Sequence, residues 1–370
     1  MADRQDPWEP EEDQPYSRDP RRNQPSPERP WQPPPDFRRF PLRPPASASP
    51  AFVFKRALRQ NANAVCGGLV LVFLIGPVIV EVLGLFRWII PGFDAALRGL
   101  TTIPIGLLNM SIATLSLFLP ALLIARWLNM PTRVAFPLGR AKARMIVPGV
   151  FCCLGMSVVG VYISALLRVF FANAIGATPI SPDFSPPAYG LAETMIFMIA
   201  ISVIPAVFEE VLCRGVVMQS LRRFGDGFAL VVSSLLFAML HRNFVQGPNA
   251  LLVGLVLGYF TLRTGSLIPA IVMHFVNNFM AAGISVFAMY LPARYASMLN
   301  FAVLPTYLAL GAFGVVLMMA LNHGFTPLHQ KPGENDFGNG RKYALFFFAP
   351  LGIVFSLITL VLTVRHFDWI

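Results

Sequence analysis

Within one otherwise apolar stretch of about 70 residues the chain places Glu209, Glu210, Arg214, His241, His274 and Asn278. Glutamate and histidine are among the side chains that most often move protons in catalysis. Imidazole and carboxamide N–H groups are donors suited to a developing oxyanion. Glu210 and Arg214 are four residues apart, so on a helix they share a face and can pair. Glu209 then points about 100° away and is left for other work. Phe237 and His241 are again four apart, which stacks a ring one turn below an imidazole, and His274 and Asn278 share a face in the same way. Each motif alone has a structural reading: an ion pair, an interhelical hydrogen bond, or polar glue between helices. Their joint occurrence in successive apolar segments points instead to one shared interior carrying a catalytic set of side chains.

The elements that must position these groups are membrane helices. Of the 370 residues 55% are hydrophobic and only 13% charged, about half the charge of an average soluble domain. Apolar segments lie near 64–86, 101–125, 146–172, 189–213, 228–241, 249–264, 266–290, 301–321 and 344–364. Against a requirement of about 20 residues per crossing, they predict an all-α, polytopic integral membrane bundle of eight or nine transmembrane helices. The fifth and sixth segments fall short of a full crossing. An ionisable group at the centre of such a helix costs about 2.5–3.5 kcal/mol, so its presence calls for a reason.

Residues 1–62 hold 11 of the 29 Lys/Arg and 9 of the 19 Asp/Glu, and residues 1–50 hold 14 of the 33 prolines. They read as a disordered, Pro-rich cytoplasmic tail preceding a transmembrane domain at 63–370. Lys55, Arg56 and Arg59, then Arg133, Arg140, Lys142 and Arg144, then Arg222 and Arg223, then Lys331, Arg341 and Lys342 mark the basic loops. With nine spans all of these fall on one side, which sets the N-terminus in the cytoplasm. Trp88 and Trp127 at span ends suit interfacial anchoring. The net charge of +10 sits at the ends of apolar runs, where it meets headgroups, and not in the clustered surface that nucleic acid requires. Cys66, Cys152, Cys153 and Cys213 lie in apolar stretches without CxxC spacing, so free thiols are expected. Gly254 and Gly258 form a step for close helix packing.

The runs FEEVLCRGVVMQSLRRFG (208–225), LLFAMLH (235–241) and TGSLIPAIVMHFVNN (264–278) closely resemble the EExxxR, FxxxH and HxxxN signatures of the CPBP (Abi) family of intramembrane proteases. This family comprises CAAX prenyl endopeptidases and bacteriocin-processing or self-immunity proteins. The resemblance covers a core at about 189–285. It implies that Glu209 is the general base for a water that His241 also binds, and that His274 and Asn278 donate to the oxyanion. It further implies that Glu210 and Arg214, beside Phe237, hold the helix and the first carboxylate in place. No cofactor is implied. The substrate would be a membrane-associated peptide or protein, prenylated in the CAAX branch of the family, entering from the cytoplasmic side.

Other readings stay open. Glu209, His241 and His274 are also a legitimate zinc set with an open position, although no HExxH helix is present. A non-catalytic immunity or scaffold protein that binds a membrane peptide would carry the same motifs. A transporter is disfavoured by the absence of a repeat or paired broken helices.

Overall fold

A computed structural model describes residues 49–89, 102–180, 190–325, 327–328 and 338–369. Residues 1–48, and with them most of the expected tail, lie outside the described residues, as do Asp94, Asp183, His329, Lys331, Glu334, Asp336 and the Trp88 side chain.

The chain is an all-helical membrane bundle. Its helices are α1 (Pro50–Ile89), α2 (Thr102–Trp127), the single turn α3 (Thr132–Ala135) and α4 (Ala143–Ile175). The long α5 (Leu191–Phe224) follows, then α6 (Asp226–Leu240), α7 (Gly247–Thr264), α8 (Ile268–Met289), α9 (Ala293–Asn322), α10 (Asn339–Phe347) and α11 (Pro350–Val364). Six of them are long and apolar enough to cross a membrane, or seven if α10 and α11, bent by 79°, count as one span. The expected eight or nine spans are therefore not reached among the described residues. The shortfall lies at α6, only 15 residues long, and at α7, whose 18 residues include Asn249, Arg263 and three threonines or tyrosines that dilute its hydropathy.

Two further boundaries differ from expectation. Helix α1 begins at Pro50, so 50–62 are not part of an irregular tail; Leu58, Asn61 and Ala62 are buried there. Helix α5 does not stop near 213 but runs to Phe224. Its polar last turns are satisfied internally. Arg222 donates to both carboxylate oxygens of Asp226, at 2.9 and 3.1 Å, and to Gln219 at 3.2 Å. Asn61 of α1 donates to the Ser220 carbonyl at 3.2 Å. The buried Lys342 ammonium of α10 caps the Phe224 carbonyl at 3.1 Å. Hydropathy falls across these residues, yet every one is packed, which is why composition alone ended the helix too early.

One apolar core joins α1, α2, α5, α6 and α11, and another joins α4, α7, α8 and α9. The second half is drawn together by glycines. A Cβ on Gly155 of α4 would lie 2.5 Å from the Gly311 Cα of α9. On α7, Gly254 and Gly258 would meet Arg214 at 3.0 Å and Leu230 at 2.5 Å respectively, so the expected small-residue step does bring α7 against α5 and α6. A two-stranded antiparallel ribbon, β1 (Ala177–Pro179) with β2 (Phe367–Trp369), is the one departure from all-α structure among the described residues. All four cysteines are free and buried, and Trp127 stays half-exposed at the end of α2.

Because backbone faces backbone at the Gly155–Gly311 crossing, no rotamer relieves an added side chain. Gly311→Ala is expected to force α4 and α9 apart, at a cost of about 1–3 kcal/mol, read as a lower thermal midpoint in detergent. The same change at Gly340, where a Cβ meets nothing within 4 Å, should leave the midpoint in place.

Candidate active site

The site forms where α5, α6 and α8 meet under α7, and its local backbone is unusual. Pro205 has no N–H, so the carbonyl four residues before it, Ile201, cannot make its ordinary helical bond. The helix widens to π geometry over Ile199–Val203 and again over Val211–Val217. Such single widened turns often accompany functional positions. The Asn278 carboxamide of α8 donates to the Ile201 carbonyl at 3.2 Å and so replaces the missing donor. In the second widened turn Gln219 donates to the Arg214 carbonyl at 3.2 Å. Glu209 and Glu210 lie between the two widened turns.

Glu210 and Arg214 are both fully buried and paired as their spacing predicts, Nη1 to Oε1 at 2.7 Å. The guanidinium also lies over the Phe237 ring, 4.3 Å from its centroid. A desolvated cation–π contact of this kind contributes about 2 kcal/mol. The same Glu210 Oε1 lies 2.8 Å from His274 Nδ1. An ionised carboxylate only accepts, so Nδ1 carries a proton and Nε2 is the nitrogen turned towards Glu209. That Nε2 lies 3.9 Å from Glu209 Oε2. Glu209 is the more open of the two acids, with 21% of its side chain exposed against 0% for Glu210.

His241 closes the C-terminal end of α6. Its Nδ1 donates to the Phe237 carbonyl at 2.9 Å, a tautomer fixed by the acceptor, so Nε2 is left free. The Phe237 ring stands edge-on to both imidazoles, with centroids 4.9 Å from His241 and 5.9 Å from His274. Phe237 thus touches the guanidinium and both histidines and spaces them apart.

The structure brings together Glu209, Glu210, Arg214, Phe237 and His274 by direct contact, with His241 joined through Phe237. Asn278 stands one turn beyond His274, bonded to the α5 backbone. One of its two amide hydrogens remains for another acceptor. Sequence spacing did not reveal the link from Glu210 to His274. Nor did it reveal Pro205, although a proline four residues before Glu209 was a legible sign of a carbonyl in need of a donor. Among the described residues no group of three or more His, Cys, Asp or Glu side chains is placed to hold a metal ion. The zinc set of Glu209, His241 and His274 is not assembled in this arrangement.

Residues 191–280 match the family model described as Rce1-like, type II CAAX prenyl endopeptidase. The match spans about a quarter of the chain and contains every motif residue above, so over this segment the chain is similar to a family of proteases. No curated protein and no solved structure matches the chain.

Removing the arginine would leave a buried carboxylate facing only the imidazole. Arg214→Ala is expected to destabilise the protein by about 3–5 kcal/mol, seen as a large fall in the thermal midpoint. Glu209→Gln, at the half-buried acid, should leave that midpoint near the wild-type value.

Proposed function

We propose that the protein is an intramembrane endopeptidase in which Glu209 activates a water molecule for attack on a peptide carbonyl. The observation that carries this reading is the 3.9 Å approach of Glu209 Oε2 to His274 Nε2, with His274 held from behind by a fully buried Glu210–Arg214 pair. The acid that is free to work is partly open. The acid that positions is buried and committed.

Glu209 takes a proton from the water as its oxygen attacks the carbonyl carbon. The unprotonated Nε2 of His241 accepts the water's second hydrogen in a hydrogen bond and aligns the attacking lone pair. Charge then develops on the former carbonyl oxygen. Asn278, through its remaining amide hydrogen, and His274, when Nε2 bears a proton, donate to that oxygen, with Glu210 balancing the imidazolium charge. Collapse of the tetrahedral intermediate breaks the C–N bond, and Glu209 returns its proton to the leaving amine. A general base contributes about 10²–10⁴-fold and each oxyanion donor about 10²–10³-fold, more effectively where bulk water is kept out.

Substrate is a membrane-associated peptide or protein, CAAX-like and prenylated in the fullest version of the reading. Gly215 lies against the Ala135 carbonyl of α3 and against Leu267, which precedes α8, so Arg214 is close to the end of the bundle that carries Arg133 and the other basic residues. With that end in the cytoplasm, together with the N-terminus, substrate C-termini enter from the cytoplasmic side.

The test is cleavage of a membrane-anchored peptide by purified protein, followed by mass spectrometry. Glu209→Gln and His241→Ala are each expected to lower kcat at least about 10²-fold while the protein stays folded. His274→Ala should be similarly impaired. Cleavage at the wild-type rate by Glu209→Gln would overturn the assignment and leave a peptide-binding role for the same residues.

A further inference from the structure

Helix α7 has two working faces. Gly254 and Gly258 press against Arg214, Phe237 and Leu230, while Leu252, Leu255, Val256 and Tyr259 turn the other way and line a cavity of about 470 Å³. The remaining walls come from α4 and α9, through residues such as Val159, Ala312, Val315 and Phe325. The volume falls within the range of about 300–1,000 Å³ typical of ligand sites. The lining is apolar throughout, and apolar cavities much smaller than this one stay free of water and take up hydrocarbon. Val159, Ala312, Val315 and Phe325 are also exposed at the surface of the bundle, so the cavity opens sideways, where the bilayer lies.

The charge at one end selects among lipids. The stretches 134–182 and 227–333, which supply all three walls, contain no Asp or Glu. Of their cations, Arg140, Lys142, Arg144 and Arg263 lie at the basic end, and Arg168, Arg242 and Arg294 lie towards the opposite helix ends. Arg263 lies one turn beyond Tyr259 on the same face of α7, and its buried Nε has no hydrogen-bond partner among the described residues. Arg144 stands in the first turn of α4, and Asn322 at the end of α9 donates to its carbonyl at 2.7 Å. Phe325 in the cavity wall lies 5.7 Å from Tyr259, centroid to centroid, so the ends of α7 and α9 are adjacent there.

We infer that this cavity holds one acyl chain of an anionic phospholipid, with the headgroup at Arg144 and Arg263. Basic pockets between membrane helices at the cytoplasmic side recognise acidic headgroups in this manner. The site is separate from the hydrolytic centre. Phe260, whose ring lines the cavity, shares the α7–α8 core with Met273, the neighbour of His274, so the bound chain backs the helix that covers the active site.

The experiment is native mass spectrometry of the full-length protein, released from nanodiscs containing equal parts phosphatidylglycerol and phosphatidylcholine. Wild type is expected to retain one phosphatidylglycerol per chain, preferred by at least about five-fold, the effect of roughly one cation near a surface. Ala312→Phe and Val315→Phe, two variants that fill the cavity from exposed positions, should each lose most of that retention. Leu357→Phe, on the exposed face of α11, should not. Arg263→Gln should keep a lipid but lose the headgroup preference. Equal retention of the two lipids by wild type would overturn the proposal. So would undiminished retention by both filling variants, or dimers in place of lipid adducts. The readout is lipid mass and not turnover, so it stands whether or not the chain cleaves peptides.

Discussion

A single carboxylate oxygen, Glu210 Oε1, accepts from both Arg214 and His274 deep inside the bundle. Neither partner is dispensable to it. Without Arg214 the charge is buried with only the His274 ring beside it, and without Glu210 the guanidinium has only the face of Phe237. Burying such a pair is weakly stabilising at best, and breaking it is severe, so the pair acts as a constraint on where α5 and α8 sit more than as a source of stability. It fixes the tautomer of His274, and with it which nitrogen faces Glu209. The neighbouring acids therefore divide the work by environment: one is enclosed and bound on its inner side, the other stands at the edge of the site.

Around that constraint the backbone is adjusted at specific points. Pro205 deprives the Ile201 carbonyl of its helical donor, and Asn278 replaces it from α8, so the same two helices are tied twice, once by charge and once by a carboxamide. Phe237 fills the space between the guanidinium and the two imidazoles, and Gly254 lets α7 close over Arg214 and Phe237. The opposite face of α7 meets the apolar cavity, so one helix forms the roof of the polar site and one wall of that cavity. The last turns of α5 are held by Asp226 at the start of the next helix and by Asn61 and Lys342, which are distant in sequence.

Much of this was legible in the chain itself. The i, i+4 spacing of Glu210 with Arg214, of Phe237 with His241 and of His274 with Asn278 requires only helical periodicity, and hydropathy states that the helices lie in a membrane. Those are local properties, and local properties are what a sequence carries directly. The glycine step on α7 was legible for the same reason, because small residues four apart leave a groove on any helix.

The number of crossings, the start of α1 and the true end of α5 were decided by packing. A window of hydropathy treats Arg222, Gln219 and Asn61 as solvent-seeking, whereas here each is buried and hydrogen-bonded, Arg222 to Asp226 of α6, Asn61 to α5 and Gln219 within α5. The joining of Glu210 to His274, 64 residues apart, was likewise a tertiary outcome, because spacing tells which groups share a face of one helix but not which face meets which neighbour. The sequence by itself determined a polar, proton-handling set on apolar helices. Only the folded arrangement decided that one acid is fully buried and paired and the other partly open, since burial is a property of neighbours brought from elsewhere in the chain.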